Sequence, residues 1–361
     1  MERRTFLSGL VASSAASAGI SLLRRASEAP WLLPGAPRDR LIMDAMGELR
    51  IEYDRSVIRD MLASGIDSIT ITLCDPKPEG AEALELAVNS LLEYDRYLAA
   101  HPDLFVRATS VADITRARRG GRMAVFYLFQ NTAQFGTDPA RVDLFHRMGL
   151  RSCQLTYNVR NPLGVGCWEQ GGLTELGRTM IARMNTRGML IDLSHANMQT
   201  MADAIAASRA PVIVSHTGCM AVHENRRNTT DVNLRALANR GGLVGICQMR
   251  PFLTPLKKGN LSAYFDHILH AVKVAGAEHV CIGSDRDYRR VELSPEYLAE
   301  LKKEEGSQVV DSDLPYFIEE LNGARRMEVV WDGLVQRGLP ARDVERIMGA
   351  NLLRLYRDVM G

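Results

Sequence analysis

Short apolar runs separated by amphipathic stretches dominate the chain from about residue 41 onward. The runs at 41–48, 67–74, 104–111, 122–130, 150–158, 188–195, 210–216, 242–249 and 279–285 are seven to nine residues long and rich in apolar or β-branched side chains. Each is bounded by glycine, proline or a helical pattern, so each reads as a strand buried on both faces. Between them, 53–64, 81–100, 112–119, 139–148, 173–187, 198–208, 230–239 and 261–275 repeat apolar residues at helical spacing. The tail continues with predicted helices at 315–321, 327–337 and 341–360. Strand and helix in alternation require parallel β-structure with crossover helices.

About eight such units fit the chain, and the predicted fold is α/β, a TIM-like (β/α)8 barrel. Such a barrel takes roughly 250 residues, more with insertions. The rival is an open doubly wound sheet. It requires a glycine-rich phosphate loop after its first strand, and neither G-x-G-x-x-G nor a P-loop is present. The barrel is therefore expected as a single domain over 41–361.

Three runs stop at residues with chemistry. GMLIDLSHAN ends past His195, APVIVSHTG past His216, and HVCIGSD at Asp285. Barrel enzymes keep their reacting groups at the carboxyl ends of strands. One histidine at a strand end is ordinarily structural. Two at matching exits of successive strands shift the reading toward a metal site, completed by the Asp285 carboxylate. Asp44 and Asp192 lie beside these groups as candidates to orient imidazoles. His267 and His270 are expected on an outer helix face, and a Cys219–His216 nucleophile pair lacks an orienting third residue.

Composition narrows the classes. The 361 residues are 46% hydrophobic and 24% charged with a net charge of +1, which gives no basic footprint for nucleic acid. None of the six cysteines forms a C-x-x-C pair. Cys74, Cys153, Cys247 and Cys281 fall in apolar runs and are expected as buried free thiols. The first 29 residues, with Arg3-Arg4 before Phe6-Leu7 and an Ala/Ser/Gly-rich run, read as a twin-arginine signal followed by a linker at 30–40. That run is too short and polar for a stable membrane span. The expected location is the periplasm, reached after folding.

In order along the chain, LTYNVRNPLG, GGLTELGRTMIARMNTRGMLIDLSHAN, PVIVSHTG, RRNTTD, GSDRD and GANLLRLY resemble the renal or membrane dipeptidase family of metallopeptidases over 41–356. The resemblance implies a barrel of the amidohydrolase or metal-dependent hydrolase type, with a two-metal site, usually zinc, that hydrolyses dipeptides and in some members D-residues, dehydropeptides or lactams. It implies metal binding by His195 and His216, proton handling by Asp285 beside the metals, and a grip on the substrate carboxylate by Arg227. Homodimers are common in that family and are the expectation here.

The chain departs from the family at the first strand and beyond. Met46 stands for a metal-binding imidazole, Glu48 for an aspartate, Gln130 for the bridging glutamate, and Tyr157 for a substrate-binding histidine. Thioether and amide are poor replacements around zinc dications. Tyr157 can donate a hydrogen bond but cannot be cationic. The donors left are His195, His216, Asp285, Glu48 and the Gln130 amide, enough for one divalent metal, taken as zinc, and thin for two. The expected function is metal-dependent hydrolysis of a small dipeptide or dipeptide-like amide. The alternatives are a catalytically altered or metal-free member that binds or tailors a small peptide, such as a siderophore precursor, and an esterase or lactonase.

Overall fold

The structure is a computed structural model that describes residues 40–305 and 313–361; the expected signal segment lies outside them. Nine parallel strands form one sheet: β1 (Ile42–Gly47), β2 (Ile66–Thr72), β3 (Phe105–Arg107), β4 (Met123–Phe129), β5 (Leu150–Gln154), β6 (Leu190–Asp192), β7 (Ile213–Thr217), β8 (Leu243–Ile246) and β9 (Val280–Ile282). Eight of them follow the path β1-β2-β4-β5-β6-β7-β8-β9. The short β3 pairs with the first half of β4, Phe105 opposite Met123, while β5 pairs with the second half from Tyr127 onward. Since β2 already occupies one edge of β4, β3 and β5 share the other.

Hydrogen bonds beyond the ladders close the ring. Asp285 N–H donates to the Met46 carbonyl (2.9 Å), and Glu48 N–H donates to that of Arg286 (3.2 Å). Asp44 adds a side-chain clasp across the same seam. It accepts from Ser284 N–H (2.9 Å), Ser284 Oγ (2.6 Å) and Tyr288 Oη (2.7 Å). The predicted (β/α)8 barrel is therefore present, with one supernumerary strand.

The two ends of the barrel differ in polarity. At the amino end Met43, Ala45, Phe126, Leu190, Ile213 and Leu243 are buried against Leu352, Leu355 and Tyr356 of the last helix, Asn351–Met360. That helix plugs the bottom. Toward the carboxyl end the buried residues turn polar: Gln154, Asp192, Ser194, Ser215, His216 and Ser284. Strand β8 and the exit of β9 carry glycine there because Ser215 crowds them. A Cβ on Gly245 or Gly283 would lie 1.9 or 1.8 Å from its carbonyl oxygen.

Four expectations are corrected. Residues 315–321 form no regular helix but one 3-10 turn, Glu319–Leu321. Tyr316, Phe317 and Ile318 are all buried in succession, which a surface helix cannot achieve. Instead the Pro315 and Tyr316 carbonyls accept from Arg250 Nε and Arg250 N–H, both at 2.9 Å. The helix expected at 341–360 is interrupted by a π segment, Arg346–Ala350, where Gly349 packs onto the Leu41 carbonyl. Cys74 is only partly buried; it and the other five cysteines are free thiols.

His267 is the fourth correction, being fully buried. Its Nδ1 accepts from Cys219 N–H (2.8 Å) and its Nε2–H donates to the Leu253 carbonyl (2.9 Å). His270 pairs instead with Asp231 (2.8 Å). Burial pushes the His267 imidazole down to about 4 from 6.5. A depressed folded value gives stability that is present above the unfolded pKa and lost as pH falls through the folded one. The window is thus pH 6.5 to 4, with at most about 3 kcal/mol at stake. We expect the melting temperature of His267→Gln to fall less steeply than wild type across that window. Parallel curves would contradict this role.

Candidate active site

His195 and His216 meet at the carboxyl end of the barrel. Their Nε2 atoms are 3.0 Å apart and their rings cross at 70°. His195 does not lie in β6 but three residues past it, in a turn with φ 65°. Asp285, past β9, has φ 53°. Among the described residues these two are the non-glycine positions with positive φ. A left-handed conformation at a bulky residue costs about 1–3 kcal/mol and persists where surrounding structure fixes it. Here both sit at strand exits facing one cavity.

The hydrogen-bond partners fix the protons of both rings. His195 Nδ1 donates to Asn158 Oδ1 (2.7 Å). Ser215 Oγ donates to Asp192 Oδ2 (2.5 Å) and so receives the proton of His216 Nδ1 (2.8 Å). Each ring is thereby held as the Nδ1–H tautomer, with its lone pair on Nε2. Asp192 anchors the relay, also accepting from Ser194 N–H, Ser194 Oγ and Ser215 N–H. Tyr157 stacks on His195, centroids 4.2 Å apart.

Two lone pairs facing at 3.0 Å repel unless a cation lies between them. A shared proton is disfavoured. Burial, then the Arg227 charge, holds both imidazoles well below their ordinary pKa. A divalent metal fits better. Two nitrogens about 2.0–2.1 Å from a tetrahedral ion are roughly 3.3 Å apart, close to the observed separation. The pair fits one ion.

A second ion does not fit. Met46 is fully buried and offers only sulfur. The Glu48 carboxylate is held by Arg50 Nη2 at 2.6 Å, so it does not serve the imidazoles as expected. Gln130 lines the cavity, but its neutral amide cannot balance two dications. Asp285 lines the same cavity. Among the described residues, however, no three of His, Cys, Asp and Glu are grouped to hold a metal. The expected convergence of three ligands is thus met by two imidazoles, and Asp285 lines the cavity they face.

The cavity itself is large, about 1480 Å³, and opens at the barrel mouth. Arg227 reaches it from the loop after β7. Asn228 ties that loop down: its Oδ1 accepts from Gly218 N–H (2.9 Å), and its Nδ2 donates to the Phe252 carbonyl (2.7 Å). The Arg227 guanidinium packs 5.2 Å from the Phe252 ring centroid. It is 93% buried by its 7% exposure, and no carboxylate among the described residues pairs with it. Cys219 is disposed of as a nucleophile, since burial pushes its thiol up to about 12.

Sequence reasoning missed Asn158, Ser194 and Ser215. The signal was present in the twice-repeated Ser-His at the strand exits, whose serines were passed over for the histidines. Asp192 was anticipated. We expect Asp192→Asn to let the Ser215 hydroxyl turn, freeing His216 to change tautomer. Metal affinity should then fall about 10–100-fold with the circular dichroism spectrum unchanged. Calorimetric titration checks this; equal affinity would break the relay.

A parallel barrel with paired imidazoles and a buried guanidinium at its mouth has the parts of a metal-dependent hydrolase. The chain belongs to the membrane dipeptidase family: the sequence profile described as membrane dipeptidase (peptidase family M19), a family of metallopeptidases that work through divalent metal, matches residues 70–303. Dipeptidase tcpJ of Claviceps purpurea is 28% identical over 73% of this chain, a match spanning 57% of that protein. Dipeptidase ataJ of Aspergillus terreus is 27% identical over 94% of this chain and 85% of its own length. Among solved structures, an amidohydrolase from Pseudomonas aeruginosa superposes with a TM-score of 0.81 and 27% identity, covering 90% of this chain and 98% of the other. No helix among the described residues is long and apolar enough to cross a membrane.

Proposed function

We propose that the protein hydrolyses a dipeptide or dipeptide-like amide, using one divalent metal ion, zinc, held by His195 and His216. The observation that carries this reading is the pair of Nε2 lone pairs 3.0 Å apart beside the cavity. Held there, such an ion would supply Lewis acidity at the scissile carbonyl and activate a water for attack. Gln130, whose amide makes no hydrogen bond with a described residue, offers an oxygen to complete the set.

The rest is done by the chain. Asp285 takes the proton of the attacking water and returns it to the leaving amine. Arg227 pairs with the terminal carboxylate, which fixes register and selects small peptides over proteins. Tyr157 donates to the oxygen that gains charge as the carbonyl is attacked. Asn158 and Ser215 hold the imidazoles in the metal-binding tautomer.

The test is a dipeptide panel with added zinc, cobalt or manganese, run beside His195→Ala. Metal-stimulated turnover that the variant lacks is expected; no turnover with any metal would contradict the reading. Arg227→Ala is expected to raise KM for a dipeptide about tenfold or more, with little effect on an ester that has no carboxylate. Equal losses on both substrates would remove that role.

The rival reading is a family member that binds or tailors a small peptide without metal-driven hydrolysis. It draws on Glu48 being spent on Arg50 and on the neutral Gln130. Export to the periplasm by the twin-arginine route, and a homodimer, complete the proposal. Cell fractionation with an Arg3→Lys/Arg4→Lys variant tests the first, and sedimentation the second.

A further inference from the structure

Arg286 follows Asp285 at the cavity wall and is 7% exposed. No carboxylate among the described residues pairs with it. Its Nη1 lies 3.7 Å from Met249 Sδ, its guanidinium carbon is 5.9 Å from the Phe317 ring centroid, and its Nη2 is buried with no acceptor. The neighbouring cations are spoken for. Arg50 and Arg289 pair with Asp287, at 3.1 and 2.6 Å, and Arg290 pairs with Glu319. A buried cation without a counter-ion is expensive to keep.

Arg227 and Arg286 flank the same turn of chain. Arg227 packs on Phe252 and Arg286 on Met249. Phe252 N–H donates to the Met249 carbonyl (3.1 Å), so the two contacts stand three residues apart on one turn. Both Met249 and Phe252 line the cavity. The two guanidiniums, neither paired with a described carboxylate, therefore face the cavity from one stretch of its wall.

We infer that Arg286 binds a second anionic group of the substrate, so that the site prefers dipeptides with a C-terminal glutamate or aspartate. The inference rests on the dipeptidase reading above. Arg227 takes the α-carboxylate and Arg286 the side-chain carboxylate. Both cations stand against the one turn that Met249 and Phe252 form, which places both anions on the same residue of the peptide. Neither cation has a carboxylate partner among the described residues to give up on binding.

The experiment is calorimetric binding of non-hydrolysable phosphinate mimics of Ala-Glu and Ala-Gln, which differ by one charge and little in shape. It is run on the zinc-loaded protein and on Arg286→Met. The Ala-Glu mimic is expected to bind wild type at least about tenfold tighter, and in Arg286→Met the two are expected to bind within about twofold of each other. Arg286→Met should melt no lower than wild type, because a buried unpaired charge has been replaced by an apolar chain of similar length. Equal binding of both mimics to wild type, or a preference that survives in Arg286→Met, would overturn the inference while leaving the dipeptidase reading intact. A lowered melting temperature with equal loss of both mimics would make Arg286 structural and overturn it too. If neither mimic binds wild type, the dipeptidase reading itself fails and takes this one with it.

Discussion

His216→Ala is expected to lower kcat/KM on a dipeptide by a factor of about a thousand or more and to abolish metal binding with it. His216 is fully buried behind His195 and holds half of the two-nitrogen site. Its loss leaves one imidazole, and no other His, Cys, Asp or Glu among the described residues is grouped with it to take the vacated role. The fold is expected to survive. Ser215 loses one hydrogen-bond partner but keeps Asp192, a cost of about 1–3 kcal/mol. A variant that remains folded and retains wild-type turnover would show that the imidazole pair is not the reacting centre.

Met46→His combined with Gln130→Glu is expected to raise the metal content from one equivalent to two. Two dications about 3.5 Å apart repel by about 20 kcal/mol at an effective dielectric of about 20. A bridging carboxylate offsets that, and the Gln130 amide cannot. Met46 and Gln130 are the two positions where the resemblance to the dipeptidases places an imidazole and a carboxylate. Glu48 remains engaged by Arg50, so the restored pair carries the second ion. Metal analysis after dialysis reads the result directly. A variant that still holds one equivalent would show that the Glu48–Arg50 ion pair, rather than the lost ligands, limits the site.

The alternation of buried runs and amphipathic helices was enough to predict the barrel, because parallel strands buried on both faces leave a strong signal. It failed where tertiary contacts override local pattern. Residues 315–321 look helical, yet Arg250 draws their carbonyls into an extended path. The tail looks like one helix, yet Gly349 has to clear Leu41. Strand β3 is shorter than its run because it shares an edge of β4 with β5.

In the site, His195 and His216 were legible because Ser-His recurs at successive strand exits. Side-chain direction was not. Nothing in the order of residues shows that Glu48 turns to Arg50, two residues on, or that Asn158 reaches His195 from the loop after β5. Arg286 was hidden for a similar reason. An arginine between two aspartates reads as an ion pair, and only the structure shows Asp287 bound to Arg50 and Arg289 instead.

The claim that most depends on these contacts is that His195 and His216 hold a single divalent ion. Metal analysis of protein purified without chelator, followed by zinc titration of the stripped protein, measures this. One equivalent per chain, lost in both His195→Ala and His216→Ala, is the predicted result. Well under one equivalent, with none recovered on reconstitution, would contradict it.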